Sequence, residues 1–267
     1  MENKAIEFFI EHTKYKKEDI LHLKQIHHGF TNLSYLLVTT DNKKYQVRFG
    51  GSNDVVSRKN EYAILKAIKE ENYLYIDEEG NAIKKWIEGK PPVFFWNKKK
   101  KLKLLVEQII KMHSIKFNDS NLIKHDYLFF FNKAIFQNNL DKELYLKLID
   151  KYKNLELILS HNDLNPKNMI YDSKKSKMYL IDFEWGRINN KYWDIANFYR
   201  ETNLSTKWLK YMVDLYKGLD FQTMCEFVYI TTNFAYQWTF GMKETKKILN
   251  YRKYVSHKMN KYRKFVE

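Results

Sequence analysis

Ser160-His161-Asn162-Asp163-Leu164-Asn165-Pro166-Lys167-Asn168 is the stretch on which the fold turns, read with the residues that follow it. Met169-Ile170-Tyr171 and Met178-Tyr179-Leu180-Ile181 are apolar runs on either side of a polar segment, Asp172 to Lys177, and the second run leads into Asp182-Phe183-Glu184. That pattern predicts a β-hairpin. In a hairpin the residue just before the first strand lies beside the residue just after the second. Asn168 and Asp182 are therefore expected at the same end, with Asp163 a turn away.

This grouping has chemical content. Mg²⁺ takes hard oxygen ligands and usually draws only one or two from protein, leaving the rest to water and phosphate. Asn168 and Asp182 can supply such oxygens, while Asp163 can accept a proton from a substrate hydroxyl as a phosphoryl group is transferred. His-x-Asp alone is a common turn. The joint spacing of His161, Asp163, Asn168 and an apolar strand running into Asp182-Phe183 is that of a kinase catalytic loop and metal motif, not of a hairpin with ordinary capping residues. His161 reads as an internal hydrogen-bonding support more readily than as a proton carrier.

Toward the N-terminus the chain predicts a helix from Ala5 to Glu11 and extended segments over Ser34 to Thr40 and Lys44 to Phe49, joined at Asp41-Asn42. A helix follows from about Ser57 to Glu70, with Tyr62, Leu65 and Ile68 spaced for one buried stripe. Short strands, Tyr73 to Ile76 and Ala82 to Ile87, flank the turn at Glu79-Gly80. After Glu88-Gly89-Lys90-Pro91-Pro92 the pattern changes to long helical segments, beginning with Leu102 to His113, and proline there excludes an ordinary helix. The expected organisation is a small sheet lobe, residues 1–88, and a larger helical lobe, residues 89–267, with ligands in the cleft where they meet.

The 267 residues are 44% hydrophobic and 30% charged with only 8 Gly and 3 Pro, the composition of a folded, helix-rich protein. A single cysteine, Cys225, cannot form an internal disulfide, and no signal-like apolar stretch opens the sequence, so a reducing, cytoplasmic location is expected. Phe227 to Phe240 is interrupted by Thr231, Thr232, Asn233 and Gln237 and reads as a core helix; stable membrane insertion is not expected. The net charge of +15 invites a nucleic-acid reading, but the lysines are spread along the whole chain. The one tight run, Lys98 to Lys101, follows Asn97, a plausible helix cap, and reads as a solvated face in preference to an anion site.

His161-Asn162-Asp163-Leu164, Ile181-Asp182-Phe183-Glu184-Trp185 and Trp193-Asp194-Ile195-Ala196-Asn197 followed by Glu201 together resemble the choline/ethanolamine kinase family, which shares the protein-kinase-like fold with aminoglycoside phosphotransferases. The resemblance runs from about Gln25 to Trp238 and is strongest from His161 to Glu201. It implies an α+β, two-lobed fold with a small N-terminal antiparallel sheet lobe, and ATP and Mg²⁺ as cofactors. Asp163 would be the base, beside His161, with Asn168 and Asp182 on the metal. His28-Gly29-Phe30-Thr31-Asn32 is similar to the family's phosphate loop, although only one glycine is present, and marks Gly29, Thr31 and Asn32. Gln46-Val47-Arg48-Phe49 places an arginine where protein kinases use lysine, with Glu61 able to pair with it; Arg48 would fork onto the phosphates. A plain surface ion pair is the alternative. Lys85-Trp86-Ile87-Glu88-Gly89 resembles the hinge, where backbone groups of Trp86, Ile87 and Glu88 would meet adenine.

Asp194, Asn197 and Glu201 fall at i, i+3 and i+7, a polar stripe that on spacing alone would be solvated. The resemblance makes Asp194 a support for the catalytic loop and brings Glu184, Trp185, Glu201 and Asn165 toward the acceptor. Tyr236 and Trp238 belong to a segment that reads as a core helix, and near it the family carries a tryptophan pair that is not reproduced here; both are pocket candidates. Carboxylates interleaved with aromatic faces suit a quaternary ammonium. A polycationic aminoglycoside fits poorly with the basic C-terminal segment, Lys243 to Lys264. The reading is ATP- and Mg²⁺-dependent phosphorylation of choline to phosphocholine. Ethanolamine, thiamine or an aminoglycoside as acceptor is the rival within the class; a basic nucleic-acid-binding protein, or an inactive kinase-like one, is the rival outside it. No nucleic-acid partner is expected, and the sequence does not reveal an oligomeric state.

Overall fold

Tyr35, Leu37 and Thr39 in Leu33 to Thr39, and Tyr45 and Val47 in Lys44 to Phe49, are buried at every second position, the pattern of strands with one face on a core. In a computed structural model of the chain, which describes residues 1–26, 32–51, 56–118, 122–136 and 138–267, these are β2 (Leu33–Thr39) and β3 (Lys44–Phe49). With β1 (Ile20–Ile26), β4 (Tyr73–Ile76) and β5 (Ala82–Lys85) they form an antiparallel sheet in the order β1-β2-β3-β5-β4. Tyr35, Leu37, Tyr45, Val47 and Ile83 point to one face, where Ala5 and Phe9 of helix α1 (Glu2–Glu11) close the core. Because directly paired residues share a face, the registers Ser34↔Arg48, Arg48↔Ala82 and Gln46↔Lys84 put Ser34, Gln46, Arg48 and Lys84 on the other face. The sheet is thus apolar toward α1 and polar on its far side.

Helix α2 (Arg58–Ala67) starts from Ser57, whose hydroxyl accepts the Asn60 N–H. Its buried face is not the Tyr62, Leu65, Ile68 stripe that spacing predicts. Arg58, Asn60, Glu61, Ala63, Ile64 and Leu65 are buried, because the helix packs a charged cluster as well as aliphatic side chains. This unit comprises Met1–Gly89, Lys116–Ile123 and Asp182–Gly186. It therefore includes the short helical turn Phe183–Trp185, which packs on α2.

The second unit comprises Lys90–Ile115, Lys124–Ile181 and Arg187–Glu267. Its helices are α3 (Lys98–His113), α4 (Asn139–Tyr152), α5 (Trp193–Arg200), α6 (Thr206–Leu215), α7 (Phe221–Trp238) and α8 (Lys246–Arg263). Between them lie β6 (Ile158–Ser160), β7 (Met169–Asp172), β8 (Lys177–Leu180) and β9 (Arg187–Asn189), paired β6 with β9 and β7 with β8. α7 is the centre: from Met224 to Gln237 every residue is buried, as a core helix requires. No described helix is long and apolar enough to cross a membrane. Two local expectations change. Asn97 precedes α3 with φ of 51° and makes no side-chain cap, and α5 is buried over its whole length, so the Asp194–Asn197 side of it is not solvated.

Candidate active site

In the first unit, the polar face of the sheet carries a closed ion network. Arg48 Nη1 donates to Glu61 Oε1 at 2.8 Å, and Arg58 Nη1 donates to Glu61 Oε2 at 2.6 Å, so one carboxylate is shared by two guanidinium groups. All three side chains are buried. Burial alone would raise the Glu61 pKa, but Arg48 and then Arg58 outweigh it and hold the carboxyl below its ordinary value. Arg58 Nη2 reaches on to Asn32 Oδ1 at 2.8 Å and Glu184 Oε2 at 3.2 Å. Arg48 Nε donates to the carbonyl of Gly80, in the β4–β5 turn, where φ of +85° suits glycine. Arg48 Nη2 is buried without a hydrogen-bond partner among the described residues. The plain surface-pair reading of Arg48 and Glu61 fails on this burial.

Lys84 shares the face with Arg48. Burial and then the neighbouring Arg48 push its ammonium down to about 8, with Asp182 and Glu61 acting the other way. Beyond β5, the Trp86 N–H is taken by the Lys44 carbonyl, and the Glu88 carboxylate pairs with Lys44 Nζ at 3.0 Å. Ile87 and Glu88 make no backbone–backbone hydrogen bond among the described residues. Gly29 and Thr31 lie outside the described residues.

In the second unit, β6 delivers the loop from Ser160, and a buried carboxylate fixes it. Asp194 Oδ1 accepts from Asn162 N at 2.9 Å and Ser160 Oγ at 3.0 Å, while Oδ2 accepts from His161 N at 3.0 Å and bonds His113 Nε2 at 2.9 Å. Burial opposes the charge of Asp194, but His113 and the loop N–H groups outweigh it and lower the pKa. Asn162 sits at φ of 62°, a costly conformation that persists where the surroundings over-determine it. Here Trp193 Nε1 bonds its carbonyl and Asn189 Nδ2 its side-chain oxygen.

Further along the loop, Asn168 Nδ2 donates to Asp163 Oδ2 at 2.7 Å and to the Asp163 carbonyl at 2.9 Å. The Asn168 amide is thereby oriented with its N–H₂ on Asp163 and its oxygen at the other end. Asn165 caps the following turn through Lys167 N, and Asn197 Nδ2 holds the Leu164 carbonyl at 3.0 Å. His161 Nε2 bonds the Ile181 carbonyl at 2.9 Å, and Ile181 N donates to the Asn168 carbonyl at 3.0 Å. With Met169 paired to Leu180, the hairpin thus has the expected register, and Asp182 is the next residue of the chain. Asp182 adopts φ of 67°.

The sequence profile described as choline/ethanolamine kinase matches residues 23–217. The chain belongs to the choline/ethanolamine kinase family. It is 36% identical over 96% of its length to the uncharacterized MG356 homolog of Mycoplasma pneumoniae, covering 91% of that protein. Among solved structures, choline kinase LicA from Streptococcus pneumoniae superposes with a TM-score of 0.71 at 18% identity, over 91% of this chain and 95% of that one. LicA in complex with AMP gives 0.74 at 19%, over 98% and 99%. At those identities the likeness is one of fold, and the fold is the α+β kinase-like one.

For this kinase family member, the remaining expected residues fall into three settings. Glu184 is tied to Arg58, and Trp185 beside it is half-buried. Glu201 accepts from Arg200 Nε at 2.7 Å and from the Tyr251 hydroxyl, both at Oε1; burial resists its charge, but Arg200 and Tyr251 hold its pKa low. Tyr236 is buried with its hydroxyl on the Ile135 carbonyl at 2.9 Å, and Trp238 packs edge-on to Tyr251 at 6.0 Å. Arg58, His113, Arg200 and Tyr251 escape the sequence reading. Arg58 alone carried a signal there, three residues before Glu61 on the same helix.

Proposed function

We propose that the chain transfers the γ-phosphoryl group of ATP to the hydroxyl of choline. The observation that carries this reading is the Asp163–Asn168 pair, fixed on a loop that a buried carboxylate holds by its backbone. Such a pair presents a carboxylate and an oriented amide oxygen from one rigid support, which is what positioning an acceptor and a metal-bound phosphate needs.

Asp163 accepts the proton of the acceptor hydroxyl at a carboxylate oxygen. The residues present fit Mg²⁺, because Asn168 turns its N–H₂ to Asp163 and Asp182 adds a carboxylate, both hard oxygen donors. Asn168 and Asp182 would hold it, and the ion supplies charge neutralisation at the phosphoryl group. The nucleotide fits as well: Arg48 keeps one N–H₂ group, buried and without a partner among the described residues, while Glu61 and Gly80 fix the rest of its guanidinium. That group reaches a phosphate oxygen, and His161 steadies the loop through Ile181. The backbone of Ile87 and Glu88, which has no backbone–backbone hydrogen bond among the described residues, serves the adenine edge, and Asn32 and Trp86 flank the nucleotide.

Choline is favoured because its headgroup has no N–H to satisfy and gains from aromatic faces and diffuse negative charge, whereas ethanolamine must find acceptors for three N–H groups. Trp185 supplies a ring, Glu184 and Glu201, each already paired with an arginine, supply carboxylate oxygens, and Asn165, Tyr236 and Trp238 complete the acceptor set. The test is ADP release with choline, ethanolamine, thiamine and an aminoglycoside at saturating ATP and Mg²⁺. Choline should give the highest kcat/KM. A preference for ethanolamine overturns the choline assignment, and no Mg²⁺-dependent ADP release with any acceptor overturns the phosphotransfer reading.

A further inference from the structure

Residues Pro91 to Lys103 are not absorbed by the kinase reading. Val93, Phe95 and Trp96 are 66%, 73% and 73% exposed, an unusual cost in water for three large apolar side chains in four positions. They are held out, not frayed. Phe94, between them, packs edge-on to Phe198 at 5.1 Å, and the buried Lys101 donates through Nζ to the Val93 carbonyl at 2.7 Å. The loop is pinned at Val93 and Phe94, just before Phe95 and Trp96.

The charges that flank that tip along the chain have one sign: from Gly89 to Val106 there are six lysines and no acidic residue. Lys98, Lys99 and Lys100 open α3, where the helix dipole disfavours cations unless anions are near. Lys98 Nζ lies 5.2 Å from the Trp208 ring and Lys99 Nζ 5.9 Å from that of Tyr211, which brings α6 alongside with its exposed Lys207 and Lys210. α6 has no acid before Asp214.

We infer that this loop and the start of α3 dock the protein on the surface of an anionic phospholipid bilayer. An apolar tip that enters the headgroup boundary and a cluster of lysines that meets acidic lipids are two weak signals which together give reversible binding. Tryptophan at such a tip suits the interface, where one face is apolar and the other wet. A second copy of this chain would bring its own net charge of +15 to the contact, which opposes it. Single-stranded nucleic acid uses parallel ring platforms, but Phe95 and Trp96 stand at 81° to each other and Val93 has no ring. The inference stands apart from the choice of acceptor and from the catalytic residues.

The test is co-flotation of the full chain with phosphatidylcholine vesicles and with phosphatidylcholine–phosphatidylglycerol vesicles at low and high salt. Binding is expected only with the anionic vesicles, and weaker in high salt. Phe95→Ser with Trp96→Ser should lower the partition coefficient at least about tenfold, as should Lys98→Gln with Lys99→Gln and Lys100→Gln. Phe95, Trp96, Lys99 and Lys100 are exposed and Lys98 is half-buried against the Trp208 ring, so melting temperature should change little and ADP release in solution should not change. Any of four results overturns the inference: no flotation with anionic vesicles at low salt; equal flotation of wild type and the Phe95/Trp96 variant; a dimer in sedimentation that the same variant dissolves; or an oligonucleotide that binds more tightly than the vesicles and loses affinity in both variants.

Discussion

Replacing Asp194 by Asn changes one atom of the side chain and tests whether the loop from Ser160 is held by charge. Each carboxylate oxygen serves two donors: Oδ1 takes Asn162 N and Ser160 Oγ, and Oδ2 takes His161 N and His113 Nε2. Whichever oxygen becomes N–H₂, a buried backbone N–H then faces another N–H, and one neighbouring side chain must turn away. Leaving two buried donors unmatched costs about 2–5 kcal/mol. For a chain of this size each kcal/mol lowers Tm by about 2–4 °C, so Asp194→Asn should melt about 5–15 °C lower. Because His161 and Asn162 lead into Asp163, kcat should fall at temperatures where the variant is still folded, with KM for ATP changing less. Circular dichroism melting and steady-state ADP release read the two effects. A variant with unchanged Tm and unchanged kcat refutes the anchoring argument; lost Tm with normal kcat would confine Asp194 to stability.

Three further outcomes follow from the same geometry. Asp163→Ala should lower kcat by on the order of 10² or more, with nucleotide binding retained, and near-normal turnover would remove Asp163 as base. Arg48→Ala leaves Glu61 paired with Arg58 alone, so KM for ATP should rise more than KM for the acceptor; equal kinetics to wild type would sink the phosphate role. Trp185→Ala should cost choline about 0.5–2 kcal/mol in kcat/KM and ethanolamine less, and equal losses would make Trp185 a packing residue.

Much of the fold was legible because its hairpins are patterned locally. The polar Asp172–Lys177 segment between apolar runs put β7 and β8 in register, and Asp41-Asn42 did the same for β2 and β3. β1 was missed: it is an edge strand with a register irregularity between Ile20 and His22, Leu21 is 64% exposed and no residue is fully buried, so Ile20 to Ile26 shows no clean alternation. The error on α2 has a different cause. Hydrophobic spacing assumes that charge faces water, whereas Arg58 and Glu61 turn inward because they neutralise each other and reach Arg48 and Glu184. α5 misleads in the same way, since Asp194 is buried by partners far away in sequence. His113, 81 residues from Asp194, could not be found from spacing at all.

These buried charges also set how the protein meets acid. Glu61 and Asp194 have lowered pKa values, so the stability each contributes is present above the ordinary carboxylate range and is lost as pH falls through the folded value. His125 acts over a higher window. Burial, and then Arg187, push its imidazole down to about 3; it packs between Trp193 and Phe234, and its Nε2 has no hydrogen-bond partner among the described residues. Between the ordinary histidine value and that folded value, only the unfolded chain takes the proton. Stability therefore falls as pH drops through the window, by on the order of 5 kcal/mol across all of it. His125→Phe keeps a ring among these aromatics and has no proton to take up. Its unfolding free energy, from urea titrations at pH 7 and pH 5, should decline by about 2 kcal/mol less than that of wild type over the same interval. The comparison is of slopes, so a uniform loss from repacking or from the broken Asn162 contact does not affect it. Parallel pH dependence in the two proteins would mean that His125 is protonated in the folded state, and that acid sensitivity above pH 5 arises elsewhere.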